Sequence, residues 1–197
     1  YYNKVIDETS LGDIDTIEDK TKINIKNLVG KNGLYNLMSY TEDTKLPGKY
    51  NFRFNDETMP NIFLRENLRK YSCKMASILD AIENSKGPII IYSQFIDGGL
   101  VPMALALESY GFKRYGRTKS LFASPPVEEI DINSYKPKSQ VKENFRGAKY
   151  IMITGDKMLS PNKEEELNSC NDSNNINGGN IKVILLSSAG SEGLDFK

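Results

Sequence analysis

Apolar residues gather in short blocks along the chain, and several blocks end on glycine. Val183-Ile184-Leu185-Leu186 is an unbroken apolar run that breaks at once into Ser187-Ser188-Ala189-Gly190-Ser191-Glu192-Gly193-Leu194-Asp195-Phe196. Such a run predicts a strand buried on both faces, as in a parallel sheet. The small residues and two glycines behind it let the backbone approach a ligand closely. In open α/β sheets, ligands sit at the carboxyl ends of such strands. An ordinary glycine-rich turn behind a core strand reads the same way.

Two more blocks have this form. Pro88–Phe95 predicts a strand, Ile96-Asp97-Gly98-Gly99 a turn, and Leu100–Tyr110 a helix with Leu100, Met103, Ala104 and Leu107 on its buried stripe. Pro102 is tolerated in the first helical turn, and Gly111 closes the helix. Tyr150–Ile153 predicts a strand ending in Thr154-Gly155-Asp156. Ser160-Pro161 then predicts a helix start, with Ser160 as cap and Glu164–Glu166 near the positive end of the dipole.

The remaining segments are weaker. From about Glu66 the spacing of Leu68, Tyr71, Met75, Ile78, Leu79 and Ile82 predicts one packing helix, ended by Lys86-Gly87-Pro88. Within 23–40, the Gly30–Gly33 break predicts two short pieces with a turn between them. Tyr50–Phe54 predicts a short edge strand. Tyr1 to about Ile25 is polar and acidic and predicts a solvated loop or weak helix. Arg117–Gly147 predicts a loop insertion, and Asn168–Asn180 a mobile Asn-, Ser- and Gly-rich loop.

Composition narrows the chemistry. The 197 residues carry 26 basic and 26 acidic side chains, so net charge advertises no polyanionic partner. Lys113–Lys149 is locally biased, however, with nine basic residues against four acidic ones and interleaved aromatics, a pattern that fits either a solvated insertion or a phosphate contact. Histidine is absent, which excludes Ser-His-Asp and Cys-His catalysis within this chain. Cys73 and Cys170 form no CxxC pattern and predict free thiols. No apolar run approaches the roughly 20 residues of a membrane span, and no signal peptide is visible.

The wording of these turns carries a resemblance. LLSSAGSEGLDF is similar to motif V of superfamily-2 helicases, in the form found in Swi/Snf-type and poxvirus-type helicases of large DNA viruses. IIIYSQF and the helix after it resemble motif IV, and the strand with Thr-Gly-Asp resembles the step between the two. Together they cover about Leu68–Phe196. The resemblance implies an α/β, RecA-like parallel sheet flanked by helices, an incomplete second helicase lobe over residues 66–197. Residues 1–65 would form an irregular inter-lobe extension.

It further implies that Ser93, Gln94, Thr154, Gly155, Ser187 and Ser188 lie on nucleic acid, DNA more than RNA. Gly193 and Asp195 would face ATP, with Asp195 toward the ribose. ATP and Mg would be held mainly by a first lobe, the implied partner within a longer chain. An intracellular setting, a virion or host cytoplasm if viral, and no membrane go with this reading.

No GxxxxGK[ST] loop and no DExx-type box occurs in the chain, so it holds half of such an active site. It opens on Tyr1, stops just past the glycine turn, and reads as a fragment. No catalytic residue and no metal ligand is assigned, and the chain alone is expected to lack ATPase activity. The alternative from another class is a non-hydrolysing α/β module that binds a nucleotide or nucleic acid.

Overall fold

The computed structural model describes residues 29–42, 50–58, 61–116, 119–191 and 194. The expectations for Tyr1 to Ile25 and for Gly193 and Asp195 fall outside them. The centre of the fold is a four-stranded, wholly parallel sheet. Its strands are β3 (Ile89–Tyr92), β4 (Lys113–Arg114), β5 (Lys149–Ile153) and β6 (Val183–Leu186), in spatial order β3-β6-β5-β4. The strand predicted from the unbroken apolar run, β6, is central, and all four of its residues are buried. A separate antiparallel pair, β1 (Met38–Glu42) with β2 (Tyr50–Phe54), follows helix α1 (Gly30–Leu37).

Strand alternation splits the core into two layers. Tyr150, Met152, Val183 and Leu185 join the larger cluster, together with Leu79 and Ile82 of α3 (Cys73–Asn84), Leu105 and Leu107 of α4 (Val101–Tyr110) and Phe52 of β2. Ile151, Ile153, Ile184 and Leu186 point the other way, where Leu167 and Cys170 of α5 (Lys163–Cys170) pack on them. This is the expected α/β sheet with helices on both faces. On the edge strand β3, Ile90 and Tyr92 are 48% and 59% exposed.

The structure corrects several local expectations. The single helix from Glu66 is two, α2 (Arg65–Tyr71) and α3, broken where Ser72 turns extended and its Oγ accepts the Met75 N–H at 3.3 Å. Gly30–Gly33 is the first turn of α1, not a break. β1 and β2 pair as an antiparallel ribbon whose Met38, Tyr50 and Phe52 belong to the main core. Ser160 does not cap α5; its hydroxyl is buried under the turn after β5. Asn168–Asn180 is tied down by buried Asn175, whose side chain bonds Cys170 O, Ile181 O and the N–H groups of Asn180 and Ile181.

The insertion is irregular as expected, yet it has an organiser. Both oxygens of buried Asp131 accept, Oδ1 from Arg146 N–H at 2.9 Å and Oδ2 from Asn133 N–H, Ser134 N–H and Ser134 Oγ–H. Burial alone would raise this carboxyl; the four donors outweigh it and hold Asp131 below its ordinary value. Its stabilising contribution is therefore full above its unfolded value of 3.8 and lost as pH falls through the lower folded one. Asp131→Asn should be less stable at pH 7, by roughly 1–3 kcal/mol. In denaturant titrations that gap should shrink below the 3.8 of the free carboxyl; a gap constant down to strong acid would contradict this account.

The part of the insertion around Ile130 and Ile132 sits away from the strand ends that matter below. Ile130 and Ile132 bond to Gly111, Ala148 and Arg146, at the amino ends of β4 and β5. Within its basic stretch Lys113 pairs with Glu129, and Lys149 lies over the Tyr115 ring.

Candidate nucleic-acid interface

Three turns meet at one edge of the sheet. Tyr92 and Ile153 are both in register with Leu186, so β3, β5 and β6 end level. The ladder runs one step further: Ser93 N–H donates to Leu186 O and Ser187 N–H to Ile153 O, each at 3.0 Å. Ser93, Thr154 and Ser187 thus open three adjacent turns at the carboxyl edge, where ligands of parallel sheets bind.

Each turn is shaped by its own hydroxyl. Thr154 is buried; its N–H donates to Ser160 Oγ at 2.8 Å, and Ser160 Oγ–H donates on to Met152 O at 2.7 Å. Thr154 Oγ1 also accepts Asp156 N–H. Ser187 is equally buried, and its Oγ accepts Gly190 N–H at 3.0 Å at the start of the short helix α6 (Ser188–Ser191). Ser93 Oγ accepts Phe95 N–H at 3.1 Å and donates to Phe95 O at 3.0 Å. Gln94, Gly155 and Ser188 face solvent. Of the six residues assigned from sequence, these three are displayed at the edge, while Thr154, Ser187 and Ser93 spend their hydroxyls inside the turns.

The glycines serve packing first. A Cβ on Gly190 would stand 2.1 Å from Ile153 O and 3.0 Å from Thr154 Cα, and one on Gly155 would stand 2.9 Å from the Ala189 methyl. The second and third turns therefore touch each other directly, and side-chain-free positions are what allow it. Lys163 Nζ completes the contact by donating to Gly190 O at 3.2 Å.

Sequence reasoning placed a turn after β3 but missed its form. Ile96–Leu100 is one turn of π-helix leading into α4, with Leu100 N–H donating to Phe95 O at 3.1 Å. Such turns recur at functional sites. The signal was present in Asp97-Gly98-Gly99: a Cβ on Gly99 would strike Ser93 Oγ at 2.4 Å, and one on Gly98 would press on the Gly30 backbone. Beside this turn lies a cavity of about 190 Å³, lined on one side by Lys31, Tyr35, Tyr40 and Phe52 and on the other by Asp97 and Asp156. Lys31 pairs with Asp97 at 3.2 Å, and burial together with Asp97 pushes the Tyr35 phenol up. Among the described residues no group of three or more Cys, Asp or Glu side chains is placed to hold a metal, and no helix is long and apolar enough to cross a membrane. Both cysteines are free, and burial with nearby Glu166 pushes the Cys170 thiol up to about 12.

Comparison with known proteins then bears on this geometry. Over 136 residues the chain is 30% identical to the "Termination factor NPH-I homolog" of African swine fever virus (isolate Tick/Malawi/Lil 20-1/1983). Over 184 residues it is 28% identical to the "Putative ATP-dependent RNA helicase R563" of Acanthamoeba polyphaga mimivirus. The chain is related to viral helicases. It is also 29% identical over 138 residues to the "Putative helicase 087L" of Invertebrate iridescent virus 3. These matches take in 64%, 91% and 68% of this chain but only 19%, 26% and 12% of the respective relatives, so the helicase-related chain spans a small part of their length. No family model and no solved structure matches it.

Proposed function

We propose that the chain forms part of the second motor lobe of an ATP-dependent nucleic-acid helicase or translocase, with its three-turn edge laid along the nucleic-acid backbone. The observation that carries this reading is the level ending of β3, β5 and β6, which lines up Gln94, Gly155 and Ser188 at one exposed edge. Contacts of this kind, from backbone N–H groups and small polar side chains, fix register on phosphates without reading sequence. Thr154, Ser187 and Ser93 act one step back, by setting the shape of the turns. Gly193 and Asp195, which follow the third turn in sequence, would face ATP and its Mg ion held between this lobe and a first one. The names of two relatives, a putative helicase and a putative ATP-dependent RNA helicase, support the nucleotide and the nucleic acid.

The test is fluorescence anisotropy with labelled single-stranded DNA and RNA oligonucleotides across a salt series. Binding should weaken with salt along a straight log–log line. Gln94→Glu and Ser188→Asp each set a negative charge on an exposed position of the edge, and two like charges about 4 Å apart in water repel by about 1 kcal/mol. Each should weaken binding roughly fivefold at low salt. Affinity unchanged by both substitutions would remove the nucleic acid from this edge.

A further inference from the structure

Phe95 is 63% exposed, although it belongs to a turn held with unusual care. Both of its backbone groups are fixed: its N–H by Ser93 Oγ, and its C=O by the Ser93 hydroxyl and by the wide Leu100 N–H bond of the π-turn. Gly99 leaves room for the Ser93 hydroxyl that makes this clamp. A ring rotated freely into water needs none of this. The clamp fixes the Cα–Cβ direction of Phe95, so the ring is carried at the carboxyl edge and only its side-chain torsions are left to order on binding. Register places it beside the third turn, because Ser93 is bonded to Leu186 and Ser188 follows two residues later.

We propose that Phe95 is a stacking platform for an unpaired nucleobase of the strand lying on this edge. The inference rests on the reading above, and it adds a contact that reading lacks: phosphates are met by Gln94, Gly155 and Ser188, and a base by Phe95. Every base offers a π-face, so a single aromatic platform grips a strand without choosing its sequence. The surroundings favour a base over a protein surface. Phe95 is flanked along the chain by Ser93-Gln94 and by Asp97-Gly98 beyond Ile96. A protein contact of any strength wants a contiguous apolar centre with a polar rim; the other exposed apolar side chains here, Ile90 and Tyr92, lie along the edge strand, whereas Phe95 lies in the turn beyond its end, next to exposed Gln94.

The experiment uses the 197-residue chain, a single-stranded oligonucleotide, and the same oligonucleotide made abasic throughout. Phe95→Ala should weaken binding to the normal strand by about 5- to 100-fold, while Phe95→Tyr and Phe95→Trp stay within about twofold of the parent. On the abasic strand the parent and Phe95→Ala should bind alike. The position is exposed, so unchanged thermal midpoints will show that folding is intact. Equal affinity of the parent and Phe95→Ala for the normal strand overturns the platform. If Gln94→Glu still weakens binding in that case, the edge itself stands and only the base contact falls. Should the parent bind neither strand at low salt, both the edge and the platform are refuted.

Discussion

Gly190→Ala should destabilise the protein by about 3 kcal/mol or more, near or above the upper end of the usual cost of overpacking a core. The added methyl would stand 2.1 Å from Ile153 O and 2.6 Å from its carbonyl carbon. Those atoms are backbone of β5, an interior strand bonded to both β6 and β4, and cannot swing aside as a side chain can. Relief requires α6 to lift away from β5, which breaks the Ser187 Oγ bond to Gly190 N–H and the Lys163 contact on its carbonyl. Urea titration should show a lower midpoint with an unchanged slope. Ser188→Ala, at an exposed neighbour, serves as the control and should lie within about 0.5 kcal/mol of the parent. A Gly190→Ala protein as stable as that control would mean that the turns do not meet as described.

The second large effect is expected at Glu108. This carboxylate is buried on α4 and accepts three bonds, from Leu121 N–H at 2.8 Å, Phe122 N–H at 3.0 Å and Tyr150 Oη–H at 2.7 Å. Burial pushes Glu108 up from its ordinary value, against the downward pull of those donors and of Arg114. Glu108→Ala strands three donors, each costing about 1–3 kcal/mol when left unsatisfied, with partial relief from no longer burying a carboxyl. A net loss of about 3 kcal/mol follows. Tyr150→Phe strands none of the backbone donors and should cost about 1 kcal/mol. The damage should spread in a particular direction, because Leu121 O accepts Phe52 N–H and Ala123 N–H donates to Phe52 O. Amides of β2 should therefore lose hydrogen-exchange protection in Glu108→Ala ahead of those of β5. Uniform loss across both strands would assign Glu108 a purely global role.

What could be read from the sequence was the part governed by local periodicity. The apolar runs at 89–92, 150–153 and 183–186 announced their strands, and Gly111 announced the end of α4, where it adopts φ 109°. The level edge was reachable too, since parallel strands joined by helices end on one side. The missed features depend on which bonds and contacts a side chain makes once folded, whether with near or distant neighbours. Ser72 has the spacing of an uninterrupted helix, and its extended backbone and hydroxyl bond to Met75 N–H show the break. Ser160 looked like a cap because Pro161 follows it, yet it serves Thr154 and Met152 instead. Gly190 and Gly155 looked like places for a ligand to approach, and each turned out to leave room for the neighbouring turn. Sequence named the right turns and could not tell which of their atoms were already engaged.

One consequence concerns β3. Among the described residues it is bonded on one side only: Ile89 N–H and Ser93 N–H reach β6, while the alternate amides of Ile90 and Tyr92 face outward. The strand that carries Gln94 and Phe95 is thus the most weakly anchored of the three whose ends line the edge. Gripping and letting go of a strand would then cost least where the protein itself is most easily loosened, and any segment that came to lie along β3 would stiffen that grip without touching the nucleic acid.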